Sequence, residues 1–126
     1  MMPYPERDYK RGIRKAGAVA SIIAAGAANA QNLWVLSAGR TAKLRGLHIY
    51  NGQPAPVQVT IGTAIPLVAA MAPFTCVNGF ELILTERDLQ EVEFSATITV
   101  MASAAGAAPA NVQVQATVEE FQGPTG

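Results

Sequence analysis

The fold is decided by residues 91–100, EVEFSATITV, in which apolar and polar side chains alternate position by position. Val92, Phe94, Ala96, Ile98 and Val100 lie on one side of this stretch, and glutamate, serine and threonine lie on the other. A period of two residues is that of a β-strand with one face buried and one face in water. Residues 112–118, VQVQATV, repeat the pattern, so two half-buried antiparallel strands are predicted.

Shorter strand-like stretches precede these two and are separated by turn signals such as Asn51-Gly52. They are residues 33–35, 42–50, 57–61 and 80–84, with an edge strand or loop at 67–71 between two prolines. Strict alternation over 42–50 places Leu44, Gly46, His48 and Tyr50 on one face, and Arg45, Leu47 and Ile49 on the other.

Residues 16–30 are open to three interpretations. The many alanines favour a helix, whereas Gly17 and the β-branched Val19, Ile22 and Ile23 weaken it. Arg14-Lys15 ahead of an apolar stretch that ends in Ala28-Asn29-Ala30 also resembles a secretory signal with a cleavage site. Because few residues in this stretch are large and apolar, we predict a strand of the mature domain.

The chain is therefore predicted to be all-β, a single antiparallel β-sandwich with the jelly roll favoured among sandwiches, built from about eight strands. Its 126 residues suit one domain. The predicted divisions are an extended basic arm at 1–15, the sandwich at 16–121 and a flexible tail at 122–126.

Charge is sparse and unevenly placed. Only 14% of residues are charged, against about 25% in ordinary globular chains. Residues 1–15 carry a net charge of +3, and residues 81–120 carry −6. Such asymmetry suits contacts between copies or with a partner of opposite sign.

The arm is the first candidate binding element. Prolines at positions 3 and 5 disfavour helix, and a basic segment without a hydrophobic period becomes ordered by docking on another surface. Its candidate partner-binding residues are Tyr4, Arg7, Tyr9, Lys10, Arg11, Arg14 and Lys15. The second candidate is an acidic contact patch, Glu86, Asp88, Glu91 and Glu93.

Catalytic chemistry has little support in the sequence. His48 and Cys76 are the chain's single histidine and single cysteine, too few for a zinc site. The acidic patch offers oxygens for Ca²⁺ or for glycoside hydrolysis, but its spacing matches no calcium loop. We expect no enzymatic activity, no catalytic or metal site, no cofactor, no specific nucleic-acid binding and no membrane association.

One stretch resembles a known family. Residues 33–52, LWVLSAGRTAKLRGLHIYNG, have the form of an apolar strand, a small-Gly-basic-Thr turn, a second strand and a closing asparagine. This is similar to the small jelly-roll decoration, or cement, proteins of tailed phages and related viral β-sandwich modules. The resemblance implies a non-enzymatic homotrimer that binds the major capsid protein on the capsid surface and clasps neighbours with terminal arms.

Two further function classes stay open. One is a secreted carbohydrate-binding sandwich, which requires cleavage after Ala30 and an aromatic platform. The other is an enzyme that uses the carboxylates of the acidic patch at 86–93. The leading hypothesis is a virion structural protein of a bacteriophage that decorates and stabilises the capsid.

Overall fold

The computed structural model describes residues 13–77, 81–85, 88–89 and 92–122. In these ranges the strands are β1 Ile13–Ile22, β2 Gln31–Trp34, β3 Arg40–Asn51, β4 Val57–Thr63, β5 Val68–Ala69, β6 Phe74–Cys76, β7 Glu81–Leu84, β8 Glu93–Phe94, β9 Ile98–Ala102 and β10 Val112–Gln122. The helical content of the same ranges is a 3-10 turn at Ala27–Asn29. None of their helices has the length and apolar character needed to cross a membrane.

The strands form two five-stranded antiparallel sheets. Sheet A has the order β1-β10-β3-β7 with β8 also on β3, and sheet B has the order β2-β9-β4-β5 with β6 also on β4. The chain changes sheet after β1, β2, β3, β6, β8 and β9. β1 pairs with β10, β2 with β9, β3 with β7 and β4 with β6. This is the order of one long hairpin rolled into two layers, the jelly roll. The predicted sandwich is confirmed.

The core lies between the sheets and is built from small branched side chains. The fully buried side chains include Ile22, Ile49, Ile61 and Ile98. Phe94 is the largest side chain of this buried set. Each such side chain contributes about 1.5–3 kcal/mol on burial. The predicted apolar face of residues 112–118 is confirmed, since its four apolar members are all buried.

A β-bulge in β3 overturns one predicted face. Val118 lies opposite Leu44 and Thr117 lies opposite Gly46, so Arg45 is an extra residue on the β3 side. One inserted residue moves every later side chain to the other face. Leu44 is therefore buried in the core, while His48 is half-exposed on the outside, and the predicted face shared by Leu44 and His48 is wrong.

The predicted continuous strand over 92–100 is also wrong. Phe94 ends β8 in sheet A, and Ile98 begins β9 in sheet B, so residues 95–97 carry the chain from one sheet to the other. Phe94 and Ile98 are both buried, as the alternation predicts, but Ala96 is exposed at the crossing. Phe94 and Ile98 therefore keep their predicted burial, whereas the residues between them do not keep the alternation.

The ambiguous segment at 16–24 is a strand, as predicted. Residues 13–22 form β1 at one edge of sheet A, paired along β10, with Ala20 and Ile22 buried. Gly17 sits at a register shift with φ of +97°, a conformation that glycine adopts without strain. The short strand Val68–Ala69 confirms the edge strand or loop predicted for 67–71.

Candidate assembly surfaces

The predicted arm at 1–15 overlaps the first strand, which begins at Ile13. Arg14 and Lys15 lie in β1, where they pair with Glu119 and Val118 of β10. The reason is that β10 continues to Gln122, beyond the predicted end of the sandwich strand, and offers partners to residues before Ala16. The other candidate arm residues, Tyr4, Arg7, Tyr9, Lys10 and Arg11, lie outside the described residues.

The two described members of the acidic patch, Asp88 and Glu93, bind different partners and do not form a common site. Asp88 Oδ2 accepts hydrogen bonds from the backbone N–H of Thr85 at 2.9 Å and from its hydroxyl at 3.2 Å, and so closes a turn. Glu93 Oε2 accepts from the Thr41 hydroxyl at 3.2 Å. Glu86 and Glu91 lie outside the described residues. Within the described ranges, no three His, Cys, Asp or Glu side chains are arranged to hold a metal ion.

Two carboxylates at the end of β10, Glu119 and Glu120, have side-chain partners that the sequence did not predict. Glu120 is 3% exposed, and Trp34 Nε1 donates to its Oε2 at 2.5 Å, joining the two sheets. Arg40 Nη1 lies 3.6 Å from the other oxygen of the same carboxylate. Arg45, the bulged residue, donates from Nε to Glu119 Oε1 at 2.6 Å, with both side chains largely buried.

These contacts connect strands of the sandwich, Trp34 to Glu120 between the two sheets and Arg45 to Glu119 within sheet A. A buried carboxylate requires compensating polar partners, and here the Trp34 indole supplies a hydrogen bond to one oxygen while Arg40 supplies a positive charge 3.6 Å from the other. The signal that could have revealed the cluster is polarity at a core position, because Glu120 continues the buried register of Val114, Ala116 and Val118.

The outer face of sheet A carries the most distinctive exposed surface of the described residues. Cross-strand pairing aligns Val19, Gln115, His48 and Ile83 in one row, and Ser21, Gln113, Tyr50 and Glu81 in the next. Val19 is 52% exposed and Ile83 is 66% exposed. The face thus combines apolar side chains, the amides of Gln113 and Gln115, and the His48–Glu81 pair.

Two shallow depressions adjoin on this face. The first, of about 270 Å³, is lined by His48, Tyr50, Glu81, Gln113 and Gln115. His48 Nε2 and Glu81 Oε2 are 2.8 Å apart at its rim. The lone histidine is thus a half-exposed residue on the outer face, with the Glu81 carboxylate as its partner.

The second depression, which we call the glycine groove, also measures about 270 Å³. Gly17 and Gly46 contribute to its floor, and Ile83, Gln115 and Thr117 are among its walls. A Cβ added at Gly17 would meet no atom within 4 Å, and one at Gly46 would meet only ordinary contacts, the nearest at 3.6 Å. The two glycines therefore leave open space above the sheet.

Comparison with known proteins extends the fold assignment only. No family model and no curated protein matches the chain. Among solved structures, it is similar to that of Bacillus endospore appendages, which form a novel family of disulfide-linked pili, with a TM-score of 0.51, 13% identity and 90% of each chain covered. It also matches the cyanophage Pam1 capsid asymmetric unit, with a TM-score of 0.37, 15% identity and 86% of each chain covered.

At these identities the first likeness concerns the fold alone, and the second is too distant to support a conclusion. The disulfide linkage belongs to the appendages. In the present chain the single cysteine, Cys76, is 1% exposed in the core. The fold is thus a jelly-roll sandwich similar to that of a pilus-forming protein.

Proposed function

We propose that this chain is a non-enzymatic structural subunit of an assembly, and more specifically a decoration protein that stabilises a bacteriophage capsid from its outer surface. The observation that carries the proposal is the outer face of sheet A. There, exposed Val19 and Ile83 lie beside the side-chain amides of Gln113 and Gln115 and the His48–Glu81 pair, over a buried apolar core. Interfaces that hold subunits together combine apolar anchors with a polar, weakly charged surround.

Two further observations support a structural role. The carboxylates of the candidate acidic patch that are described, Asp88 and Glu93, satisfy local hydrogen bonds rather than converge on one point. The buried Glu119 and Glu120 are occupied by Arg45, Arg40 and Trp34 within the sandwich. These carboxylates therefore stabilise the fold, which is consistent with a subunit that acts through contacts of its surface.

The test is the state of the chain in its native particle. Native mass spectrometry should give a homotrimer, and immunogold imaging should place it on the outside of a virion beside the major capsid protein. Deletion of residues 2–12 should abolish incorporation while the circular dichroism spectrum of the sandwich is unchanged. Normal incorporation of the deletion would contradict the role of the arm, and absence of the chain from virions would contradict the decoration function.

A carbohydrate-binding function is the second candidate, favoured by the first depression. Tyr50 is 40% exposed there and lies among hydrogen-bonding side chains. Trp34, the other aromatic candidate, is engaged with Glu120. Cleavage after Ala30 would also remove β1 and uncover β10. Calorimetric titration with soluble polysaccharides, compared between wild type and Tyr50→Ala, decides this alternative, and intact-mass measurement decides the cleavage.

A further inference from the structure

The outer face of sheet A is complementary to itself. Its strands follow the order β1-β10-β3-β7, and two such faces pack well with their strands aligned to within about 30°. A two-fold axis that runs along the strands, between β10 and β3, places β1 of one copy over β7 of the other and β10 over β3. Each cross-strand row of the face therefore meets the same row of a second copy, read in the opposite direction.

The first row then pairs apolar with apolar and polar with polar side chains. It reads Val19, Gln115, His48 and Ile83 from β1 to β7. Val19, 52% exposed, faces Ile83 of the second copy, 66% exposed, at one edge of the face, and symmetry repeats this contact at the other edge. Between them the imidazole of His48 faces the amide of Gln115, which both donates and accepts hydrogen bonds. The row thus has apolar anchors around a polar centre.

The second row supplies hydrogen-bonding pairs. It reads Ser21, Gln113, Tyr50 and Glu81, so Gln113 faces Tyr50 of the second copy and Ser21 faces Glu81. The Ser21 hydroxyl oxygen accepts a hydrogen bond from Asn111 Nδ2 at 2.9 Å, so its own proton can be donated to the exposed Glu81 carboxylate. Neither row brings one carboxylate onto another.

The glycine groove allows the two faces to approach closely. Thr117 lies opposite Gly46 in the row beyond Gln115 and His48, so the same axis places Thr117 of each copy over Gly46 of the other. Gly46 carries no Cβ, and the position above Gly17 is open to at least 4 Å. The open floor can therefore receive the threonine side chain, since glycine permits close approach to the backbone.

A two-fold axis that runs across the strands fits the face less well. It would lay the first row on the second, so that Ile83 covers the Glu81 carboxylate and Val19 covers Ser21. Burial of a carboxylate against an apolar side chain costs free energy. The axis along the strands avoids this cost.

The size of the face suits a specific contact between two copies. Four strands are about 19 Å wide, and the 10 residues of β1 are about 34 Å long. Two such faces bury about 1,200 Å² in total, the lower end of the range for specific protein interfaces.

We propose that the outer face of sheet A forms a two-fold contact between two copies of this chain, with β1 of each copy over β7 of the other. The contact uses the same patch on both copies, so it joins subunits in pairs and links neighbouring trimers where a three-fold contact is also present. It goes beyond the proposed function, because it requires neither the arm nor a capsid.

Disulfide trapping in the full-length chain tests the arrangement. Val19→Cys and Ile83→Cys chains are purified separately, mixed under reducing conditions and then oxidised; the native Cys76 is buried and does not compete. The mixture should form a disulfide-linked dimer. Each variant alone should not, because the two copies of position 19 lie about 14 Å apart, three strand spacings, beyond the reach of a disulfide.

The matched control replaces Ile83→Cys by Val68→Cys, whose site is 62% exposed on sheet B. Mixed with Val19→Cys, this variant should give no linked dimer. Absence of the dimer from the first mixture, or equal yields from the control or from one variant alone, would overturn the proposal.

Charge substitution measures the energetic weight of the same pair. Val19→Glu and Ile83→Lys should each raise the dissociation constant of the paired copies in sedimentation equilibrium about tenfold or more, whereas Val68→Lys should leave it unchanged. The two substitutions combined in one chain should recover association, because the introduced carboxylate of one copy then faces the introduced ammonium group of the other. Single variants that associate like wild type, or a double variant without recovery, would contradict the arrangement.

Failure of this contact is distinguishable from failure of the decoration function. If trapping fails while the chain is found on virions, the two-fold contact is wrong and the proposed function is retained. If trapping succeeds while the chain is absent from virions, the contact is retained and the decoration function is wrong.

Discussion

Replacing Trp34 by phenylalanine removes one donor from the buried Glu120 carboxylate and leaves an aromatic ring in place. The lost bond is the 2.5 Å contact from Nε1 to Oε2. A hydrogen bond to a charged group is worth about 1.5–3 kcal/mol, because the carboxylate left behind is still buried. The free energy of unfolding of Trp34→Phe should therefore fall by that amount.

The expected loss translates into a measurable shift of the melting temperature. At about 2.1 cal/mol/K per residue, the unfolding entropy of 126 residues is about 0.26 kcal/mol/K, so Tm should fall by about 6–11 °C. Arg40, whose side chain is 37% exposed and 3.6 Å away, should matter less. Arg40→Gln is expected to cost about 1 kcal/mol or less.

A double-mutant cycle with Glu120→Gln separates the hydrogen bond from the packing of the ring. In the background of the Glu120→Gln variant, the same tryptophan change breaks only a neutral hydrogen bond, worth about 0.5–1.5 kcal/mol. Differential scanning calorimetry and urea unfolding at neutral pH provide both measurements. An equal cost of Trp34→Phe in the two backgrounds, or a Tm unchanged by the single substitution, would refute the assigned role of Glu120.

Three further predictions concern the core. Ile22→Ala should cost about 2–5 kcal/mol in urea unfolding, whereas exposed Ile23→Ala should change little; equal effects would argue against β1 as part of the sandwich. Gly62→Ala should destabilise by about 1–3 kcal/mol or more, since its Cβ would collide with the backbone carbonyl oxygen of Val68, with Gly106→Ala as the tolerated control. Burial raises the pKa of the Cys76 thiol, and backbone hydrogen bonds oppose this shift with a smaller effect. The wild-type thiol should therefore resist thiol reagents until the protein is denatured. Because the unfolded thiol ionises at lower pH than the folded one, wild type should lose stability relative to Cys76→Ala as pH rises from the ordinary thiol pKa toward the raised pKa.

Burial along the chain was more predictable from sequence than strand continuity. Alternation correctly identified the buried apolar side chains of β10, because a period of two directly reports which side faces the core. It failed at Arg45, where a single inserted residue inverts the alternation, and no local residue pattern marks that insertion unambiguously. It failed again at residues 95–97, where the chain crosses between the facing sheets and Ala96, predicted to be buried, is exposed.

The candidate sites were less predictable because they depend on contacts between distant strands. Trp34 and Glu120 are 86 positions apart, and only the roll of the two sheets brings them together. The glycine groove likewise needs Gly17 and Gly46 on strands that flank β10. The sequence predicted which strand faces are polar and weakly charged. Their alignment into rows depends on the pairing register between strands, which the sequence alone did not specify.

The pairing of β1 with β10 has a consequence for synthesis of the chain on the ribosome. Ser21 in β1 and Asn111, directly before β10, are hydrogen-bonded and 90 positions apart, so sheet A lacks β10 until residues 112–122 have emerged. Folds dominated by such distant pairings form slowly. Until then the apolar side of β1 is exposed, and pairing of β1 with a wrong strand competes with correct folding of the nascent chain.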